Sequence, residues 1–353
     1  MLEDMVIQLR DRSSCRLTLT VTLALISLGP GHPLAAQHFH RLPVTPQTVA
    51  YGYYSAAAKP VLRIASGDTI EVETLLTSRP DRLEAAGLPP GEVQQSLRDV
   101  VTQVTDRGPG GHILTGPVYV EGAAPGDVLE VRILGVDLMI PYAYNGCSGF
   151  LPKNCEGGAP ATRLLRLDRS RMIAELGPGV EVPLRPFFGS MGVAPPPDSG
   201  RVSSNPPGIH AGNLDNKEFV AGTTLFIPIH APGALFEIGD GHAAQGDGEV
   251  NQTGIETSLR GRLQLIVRKD LHLTWPRGET PAHFMAMGMD KDLTTATRIA
   301  VQEAVDFIAG YLSWTKLEAY RVVSIACDTR ITQLVDGSVG VHVMIPKSII
   351  RKP

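Results

Sequence analysis

The chain has 353 residues, of which 43% are hydrophobic and 19% charged, and its formal net charge at pH 7 is −4. Its 32 basic residues against 36 acidic ones exclude a strongly basic nucleic-acid-binding protein. The sequence contains no apolar run long enough to predict a membrane span. Glycine (37 residues) and proline (28 residues) are frequent and aromatic residues make only 5%, which indicates a loop-rich, mostly β protein.

The N-terminal residues 1–36 have the order of a secretory signal. Three arginines precede the apolar stretch LTLTVTLALISL (17–28), and the small residues of HPLAAQ follow it. We therefore expect a signal peptide that is cleaved near Ala36, and a secreted or periplasmic protein. The charge of the arginine-containing region favours Met5 as the true start. The alternative is a cytosolic N-terminus with a chance apolar run.

Three cysteines remain after removal of the predicted signal peptide. Cys147 and Cys155 flank the short segment CSGFLPKNC, and in an oxidising compartment they could form a disulfide. Half of a zinc site is the alternative for this pair, but the spacing is wrong for a zinc knuckle. Cys327 would then be an odd, buried thiol.

The mature part opens with short alternating runs that are typical of β-strands. VLRIASGDTIEVET (61–74) alternates around a Gly67-Asp68 turn, and GPVYVEGAAPGDVLEVRIL (116–134) repeats this pattern around a turn at 124–127. We interpret both as hairpin-like units of one sandwich. Between them, PPGEVQQSLRDVVTQV (89–104) has the apolar spacing of a helix.

The middle of the chain combines a long loop with three further predicted strands. Residues 195–216 are rich in proline, glycine, serine and asparagine, and a loop of this length tends to be functional or disordered. The runs TLFIPIH (224–230), ALFEIGD (234–240) and LRGRLQLIV (259–267) predict strands. The polar segment GDGHAAQGDGE (239–249) is therefore framed by strands.

The last third of the chain changes its period. The segment 290–312 has the spacing of an amphipathic helix with Asp290 as its N-cap, and 315–327 predicts a second helix. Two strand-like runs follow at 331–335 and 339–345. This order excludes a doubly wound α/β fold and predicts a mostly β protein with added helices, α+β by content. Nucleotide binding is not supported, because no glycine-rich loop opens a helix.

The densest polar cluster lies at 240–256 and contains Asp240, His242, Asp247, Glu249 and Glu256. Asp240 and His242 are two residues apart, so their side chains would share one face of an extended segment. A histidine with carboxylates favours Zn²⁺, Fe²⁺ or Mn²⁺ over pure Ca²⁺ chemistry. Such a metal would activate a water molecule, with Glu249 as the general base. The alternative is a set of ordinary Asp-Gly turns with a solvated histidine.

A second polar cluster is GIHAGNLDNK (208–217), which contains His210, Asn213, Asp215 and Lys217. Asn213 could donate a hydrogen bond to a substrate carbonyl, and Asp215 could be a ligand. An Asx-turn with a surface histidine is the alternative. His112, which precedes a predicted strand, means little alone. Serine hydrolase chemistry of the α/β-hydrolase type is not supported, because the motif GxSxG does not occur.

Several of these motifs together resemble the formamidase/acetamidase family of amide hydrolases, and the resemblance extends over nearly all of residues 38–352. The matching stretches are HILTGPVYVEGAAPGD (112–127), HAGNLDNK (210–217), GALFEIGDGHAAQGDGEV (233–250), GIE (254–256), MGMDKDLTTATRIA (287–300) and the C-terminal segment 324–350. We regard GDGHAAQGDGEV with an upstream GNLD as the specific signal.

The resemblance implies a β-sandwich-type catalytic domain over 37–353 that hydrolyses a small amide, similar to formamide, acetamide or a small lactam, to a carboxylate and ammonia. It implies a metal-dependent site, which we expect to hold zinc, with iron, manganese or calcium as alternatives. The expected metal ligands are His112, Asp215, Asp240 and His242, and the expected catalytic residues are Glu249, Glu256 and Asn213. Family members are often homo-oligomers, and nothing in the composition contradicts a homo-oligomer here.

Two other functions remain as alternatives. A cupin-like metalloenzyme also has a histidine and glutamate loop between strands, but it would need further histidines near His242. An exported β-sandwich could instead bind a ligand through a Ca²⁺ loop at 240–256. The predicted signal peptide and the Cys147–Cys155 segment suggest an exported branch of the family, whose substrate can differ from formamide or acetamide.

Overall fold

Two large β-sheets form most of the fold in the computed structural model, which describes residues 37–156 and 161–350. The predicted signal peptide lies outside the described residues. In chain order the strands are β1 (Phe39–Leu42), β2 (Val49–Tyr51), β3 (Tyr53–Ser55), β4 (Leu62–Ile64), β5 (Thr69–Glu73), β6 (Ile113–Val120), β7 (Val128–Leu138), β8 (Tyr142–Asn145), β9 (Arg163–Asp168), β10 (Ile173–Gly177), β11 (Val180–Pro183), β12 (Phe187–Gly192), β13 (Arg201–Ser203), β14 (Ala211–Asn213), β15 (Thr224–Pro228), β16 (Phe236–His242), β17 (Leu259–Arg268), β18 (Arg277–Glu279), β19 (His283–Asp290), β20 (Asp328–Gln333) and β21 (Val339–Pro346). The α-helices are α1 (Pro80–Ala85), α2 (Gln95–Gln103), α3 (Leu293–Leu312) and α4 (Lys316–Ala326). Short 3₁₀ helices lie at Pro90–Glu92, Pro152–Cys155, Pro197–Ser199 and Lys347–Ile349.

The larger sheet has nine strands in the order β1-β5-β17-β7-β15-β18-β19-β21-β20. Its pairs are antiparallel except for β1 with β5. The second sheet has six strands, in the order β14-β12-β16-β6-β2, with β4 pairing parallel to β6. A four-stranded sheet, β11-β10-β9-β8, and the pair β13-β3 complete the strands described.

The largest hydrophobic core cluster lies between the two large sheets. Strand β5 reads TIEVE, and its apolar Ile70 and Val72 are fully buried while its polar residues are half-buried. These side chains belong to the same core cluster as Val131 of β7 and Val118 and Phe236 of the six-stranded sheet. Two sheets that share one core form a sandwich. The prediction of a mostly β, sandwich-type fold with added helices is therefore confirmed.

All three predicted helices are present, as α2, α3 and α4. The prediction of Asp290 as the N-cap of α3 is wrong. Asp292 is the cap, and its side chain accepts a hydrogen bond from the backbone N–H of Thr295 at 2.8 Å. Asp290 is still part of β19, and its carboxylate accepts from the N–H of Asp292 at 2.9 Å. The helices α3 and α4 pack against β19 and β21 through small residues such as Ala296, Ala300 and Ala319.

The two units predicted as hairpins are not hairpins. Strand β4 pairs with β6 in the six-stranded sheet, whereas β5 pairs with β1 and β17 in the nine-stranded sheet. Strands β6 and β7 are divided between the two sheets in the same way. Each Gly-Asp turn therefore leads the chain from one sheet to the other. The two units are similar, as predicted, but each one joins the layers of the sandwich.

The predicted disulfide between Cys147 and Cys155 is present, and Cys327 is a free cysteine. Cys327 is half-buried rather than fully buried, and burial raises the pKa of its thiol to about 11. The predicted loop over 195–216 contains the short strands β13 and β14. Among residues 37–156 and 161–350, no helix has the length and apolar character needed to cross a membrane.

Candidate active site

The candidate site is built around the end of β16. This strand lies between β12 and β6, and every one of its residues is buried. Asp240 has a φ of 55°, which is in the left-handed region that side chains other than glycine rarely adopt. Oδ2 of Asp240 lies 3.3 Å from Nε2 of His242. The end of β16 therefore presents a carboxylate and an imidazole at one point, with a backbone strain that is typical of functional sites.

Three carboxylates surround one nitrogen of His242. Its Nε2 lies 3.2 Å from Oε1 of Glu256, 3.3 Å from Oδ2 of Asp240 and 3.8 Å from Oδ1 of Asp215. The His242 side chain is only 1% exposed, and the ring of Phe187 packs against it edge-on at 5.0 Å. The charges of this cluster are therefore screened little by water.

A glycine in β12 makes room for two of these carboxylates. A Cβ atom on Gly189 would lie less than 3.0 Å from both Oδ1 of Asp215 and Oδ2 of Asp240. Asp215 has a φ of 46°, and its Oδ2 accepts a hydrogen bond from Nδ2 of Asn213 at 2.6 Å. Oδ1 of Asn213 in turn accepts from the hydroxyl of Ser190 at 2.6 Å. The buried side-chain amide of Asn213 therefore orients the carboxylate of Asp215.

Asp240 also contacts Thr77 and His112. The Thr77 hydroxyl donates to Oδ1 of Asp240 at 2.8 Å, and Nε2 of His112 lies 3.7 Å from Oδ2. Nδ1 of His112 lies 3.2 Å from the carbonyl oxygen of Ser204 and 3.0 Å from its hydroxyl. These contacts leave Nε2 of His112 directed at the cluster.

Glu249 and Asp336 reach the cluster from two loops that bind each other. The N–H of Gly248 donates to the carbonyl oxygen of Thr332 in β20 at 2.9 Å. Glu249, which follows at a φ of 41°, forms a group with Asp215 and His242 whose ligand atoms lie within 4.8 Å of one another. The carboxyl group of Asp336, in the turn between β20 and β21, lies next to that of Asp215.

Glu256 completes a second group of the same kind. Its ligand atom and those of Asp240 and His242 lie within 4.8 Å of one another. The other contact of its Oε1 is the backbone N–H of Gly254, which donates to it at 2.9 Å. Because His242 belongs to both groups, the two groups form one continuous cluster.

The electrostatics of the cluster differ between the imidazole and the carboxylates. Burial alone would lower the pKa of His242, but Glu256 and Asp240 raise it well above its usual value. Burial raises the pKa of Glu249 and Glu256, and it raises that of Asp215 with a further contribution from the nearby Glu249. The carboxyl groups of the cluster therefore outnumber the histidines that could neutralise their charge.

Asp240 and Asp336 are shifted in opposite directions. Burial would raise the pKa of Asp240, but His112 and His242 hold it well below its usual range. Burial raises the pKa of Asp336 to about 6. Asp240 is therefore the carboxylate most firmly held in its charged form.

The residues present fit a divalent metal. Oδ1 of Asp215, Oε2 of Glu249 and Oε2 of Glu256 are buried and have no hydrogen-bond partner within the described residues. Unpaired buried oxygens of carboxylates are costly, and a cation between them would remove this cost. Imidazole nitrogen with carboxylate oxygen is a donor set that suits Zn²⁺, Fe²⁺ and Mn²⁺. The cluster is thus a candidate metal centre.

Comparison with known proteins identifies the family. Residues 82–199 and 199–352 both match the Acetamidase/Formamidase family. The chain belongs to this family. The resemblance predicted from the sequence motifs is thereby confirmed.

Individual acetamidase/formamidase proteins are similar to this chain at a moderate level. A putative formamidase of Schizosaccharomyces pombe is 29% identical over 40% of this chain and 48% of the relative. The crystal structure of acetamidase from Bacillus halodurans has 28% identity and a TM-score of 0.73, covering 88% of this chain and 98% of that one. The acetamidase structure from Yersinia enterocolitica has 26% identity and a TM-score of 0.76, covering 92% and 96%. The chain spans about half the length of the curated relatives that it matches.

The structure brings most of the predicted site residues of this acetamidase/formamidase chain together. The residues that converge are His112, Asp215, Asp240, His242, Glu249 and Glu256. Asn213 lies behind Asp215 rather than beside His242. The individual roles of these residues as metal ligands or catalytic groups stay predictions. The reading of His242 as a solvated loop residue is wrong, since it is buried at the end of a strand.

Other residues of the two predicted polar clusters have different positions. His210 is buried against Tyr54, with ring centroids 5.1 Å apart, and burial lowers its pKa to about 4. It is therefore not a surface residue. Lys217 and Asp247 form an ion pair at 2.9 Å. This pair ties the two loops together and does not belong to the carboxylate cluster around His242.

Sequence reasoning missed four residues of the site. They are Thr77, Gly189, Gln245 and Asp336. Asp336 lies between the two predicted strands at 331–335 and 339–345, and no role was assigned to it. Thr77 and Gly189 carry no local signal at all, because their roles arise only from packing of distant segments. Gln245 was included in a family motif, but no role was assigned to it.

Proposed function

We propose that this protein hydrolyses the C–N bond of a small amide to give a carboxylate and ammonia. The observation that carries this proposal is the buried cluster around Nε2 of His242, with its unpaired carboxylate oxygens, in a chain of the acetamidase/formamidase family. The relatives named formamidase and acetamidase support the amide as the substrate class. The alternatives of a Ca²⁺ binding module and a cupin-like enzyme have no comparable support.

We propose that the cluster holds a divalent metal, with zinc as the first candidate. Asp215, Asp240 and His242 would hold it, and His112 is directed at the same point. A divalent metal bound there would polarise the substrate carbonyl and lower the pKa of a water molecule.

The proton transfers are assigned to Glu249. Its Oε2 has no hydrogen-bond partner among the described residues, and burial raises its pKa, which suits a group that gains and loses a proton. Glu249 would take a proton from the attacking water as the oxygen–carbon bond forms. It would then give that proton to the departing nitrogen as the C–N bond breaks, so that ammonia and a carboxylate result.

Glu256, His112 and Asn213 would support this reaction. Oε1 of Glu256 lies 3.2 Å from Nε2 of His242, so its negative charge would stabilise the metal bound there. His112, with 12% of its side chain exposed, is a candidate contact for the substrate. We keep Asn213 as a candidate donor to the developing oxyanion. Its bonds to Asp215 and Ser190 support a role in orienting Asp215 as well.

A neutral substrate fits the charge of the site. Buried carboxylates repel an anionic ligand, and Asp240 is held in its charged form by the two histidines. A small linear amide or a small lactam has no net charge. We therefore expect no turnover of amides that carry a carboxylate close to the reacting carbonyl.

The proposal is tested by ammonia release from formamide, acetamide and a small lactam, before and after treatment with a chelator. We expect turnover that the chelator abolishes and that added Zn²⁺ restores. His242→Ala should lose turnover, whereas His272→Ala, which removes an exposed histidine bonded to the Gly126 carbonyl, should not. Full activity after metal removal would contradict the metal centre, and no turnover of any amide would contradict the hydrolase.

The role of Glu249 is tested separately by Glu249→Gln. This change removes the group that carries the proton but keeps its size. We expect turnover to fall by about 10² to 10⁴-fold, with substrate binding measured by KM changed much less. Unchanged turnover would show that another group accepts the proton.

We also propose that the protein is exported and that residues 1–36 are its signal peptide. The tripartite N-terminal pattern and the disulfide between Cys147 and Cys155 support this proposal. Mass analysis of the protein isolated from its native cell tests it. A mature chain that begins near Gln37 is expected, and a chain that retains residues 1–36 would contradict export by cleavage.

A further inference from the structure

Gln245 contacts two residues of the candidate metal centre at once. Its Oε1 lies 2.7 Å from Nδ1 of His242, and its Nε2 donates to the backbone carbonyl oxygen of Asp215 at 2.7 Å. Gln245 follows His242 by three residues, in the loop that leaves β16. One amide side chain thus connects the imidazole of one segment with the main chain of another.

These two contacts determine the orientation of the amide. The carbonyl oxygen of Asp215 can only accept a hydrogen bond, so the NH₂ group of Gln245 must face it. The oxygen of the Gln245 amide must then face Nδ1 of His242, and it too can only accept. Nδ1 of His242 therefore carries a hydrogen. The usual ambiguity in amide and imidazole orientation is removed here by the network itself.

A hydrogen on Nδ1 leaves Nε2 as the nitrogen that can bind a metal. Nε2 is the atom that faces Glu256, Asp240 and Asp215, at 3.2, 3.3 and 3.8 Å. In its neutral form, an imidazole with this tautomer has its lone pair on Nε2. Outer hydrogen bonds of this kind fix the ring orientation of metal-binding histidines.

The second bond of Gln245 acts on a strained residue. Asp215 has a φ of 46°, a conformation that costs free energy for a residue other than glycine. The bond from Nε2 of Gln245 holds its carbonyl group, while Asn213 holds its carboxylate at 2.6 Å. Asp215 is thereby fixed at both its backbone and its side chain.

We infer that Gln245 is a positioning residue for the metal centre: it directs Nε2 of His242 into the carboxylate cluster and fixes the main chain of Asp215. This inference rests on the proposed function, because it assumes that the cluster binds a divalent metal. Gln245 itself is not a ligand, since both polar groups of its side chain are engaged by His242 and Asp215.

The test measures Zn²⁺ affinity by competition with a chromophoric chelator. Gln245→Leu removes both hydrogen bonds, and we expect its affinity for Zn²⁺ to fall by about 10 to 100-fold. Gln245→Glu keeps an acceptor for Nδ1 of His242 but loses the donor to Asp215, so its loss should be smaller. Gln302→Leu is the matched control, because Gln302 makes its hydrogen bond to Asp306 on the exposed surface of α3. A folded Gln245→Leu variant with the affinity of the unchanged protein would overturn the inference.

A spectroscopic measurement does not depend on the stability of a variant. Long-range ¹H–¹⁵N spectra of the unchanged, zinc-loaded protein should show a hydrogen on Nδ1 of His242 and none on Nε2. Zinc bound through Nδ1 would overturn the inference. If the protein binds no divalent cation, the proposed metal centre fails instead. The same spectrum of the metal-free protein then decides whether Gln245 accepts a hydrogen from Nδ1, and a bare Nδ1 would contradict it.

Discussion

Two carboxylates can approach each other over β12 because residue 189 has no side chain. A Cβ atom at this position would lie less than 3.0 Å from Oδ1 of Asp215 and from Oδ2 of Asp240. We predict that Gly189→Ala forces at least one carboxylate away from His242 and lowers the affinity for Zn²⁺ by about tenfold or more. Chelator competition measures the affinity, and circular dichroism confirms that the variant is folded.

A second glycine provides the control for this substitution. Gly246 lies in the loop after β16, and a Cβ atom there would meet nothing within 4 Å. Gly246→Ala should therefore leave the affinity unchanged. An equal loss in both variants would show that the loss comes from backbone stiffness, and an unchanged Gly189→Ala would show that the carboxylates have room to move.

At the scale of elements, the turn between β4 and β5 joins the two layers of the sandwich through one carboxylate. Asp68 is 3% exposed and accepts hydrogen bonds from the N–H groups of His38 and Ala65, while its Oδ2 lies 2.8 Å from Nε2 of His40. Burial would raise the pKa of Asp68, but these hydrogen bonds hold it below its usual value. The charged form of Asp68 is therefore stabilised by folding.

The stability that Asp68 provides should depend on pH. Since its pKa is lower in the folded chain, its contribution is complete above the unfolded pKa of about 3.9 and is lost as the pH falls through the folded value. We predict that Asp68→Asn lowers the free energy of unfolding by about 1–3 kcal/mol at pH 7. Urea denaturation at pH 7 and at pH 3 measures this, and the difference from the unchanged protein should shrink at the lower pH. Asp198→Asn, an exposed substitution, should show no such difference; a difference for Asp68→Asn that persists unchanged at low pH would contradict the prediction.

The strands around these turns show what the sequence could and could not reveal. Alternation such as that of TIEVE (69–73) is a local property, so it predicted strands where the structure has them. The partner of a strand is not local. Whether β5 pairs with β4 or crosses to the other sheet depends on which other strands compete for pairing with it. The hairpin prediction was wrong for this reason.

The same limit applies to the candidate site. Asp240, His242, Glu249 and Glu256 were found because they lie within one short segment of the chain. Asp336 joins them only because the loop at Gly248 binds the edge of β20, a contact that no spacing in the sequence indicates. Residues that cluster within one short segment could therefore be predicted. Gln245 and Asp336 lie in stretches that resemble the family, but their roles depend on packing and were missed.

At the scale of the whole molecule, the disulfide supports a loop beside the candidate site. The loop closed by Cys147 and Cys155 binds the segment after Glu249, since the N–H of Ser148 donates to the carbonyl of Asn251 at 3.2 Å and that of Phe150 to the carbonyl of Val250 at 2.8 Å. An oxidising compartment would keep this loop closed. Reduction would therefore loosen a support of the glutamate that we assign to proton transfer.

We predict that reduction of this disulfide lowers the free energy of unfolding by about 2.5 kcal/mol, the loss of loop-closure entropy for a sequence separation of 8. Urea denaturation with and without dithiothreitol measures the difference. The double variant Cys147→Ser, Cys155→Ser should have the stability of the reduced protein and no response to dithiothreitol. Cys327→Ser, which removes the free thiol, should keep the full response. The same stability in both conditions would contradict this prediction. It would show that the loop closed by Cys147 and Cys155 loses its order before the sandwich unfolds, so that the disulfide contributes only to local order beside Glu249.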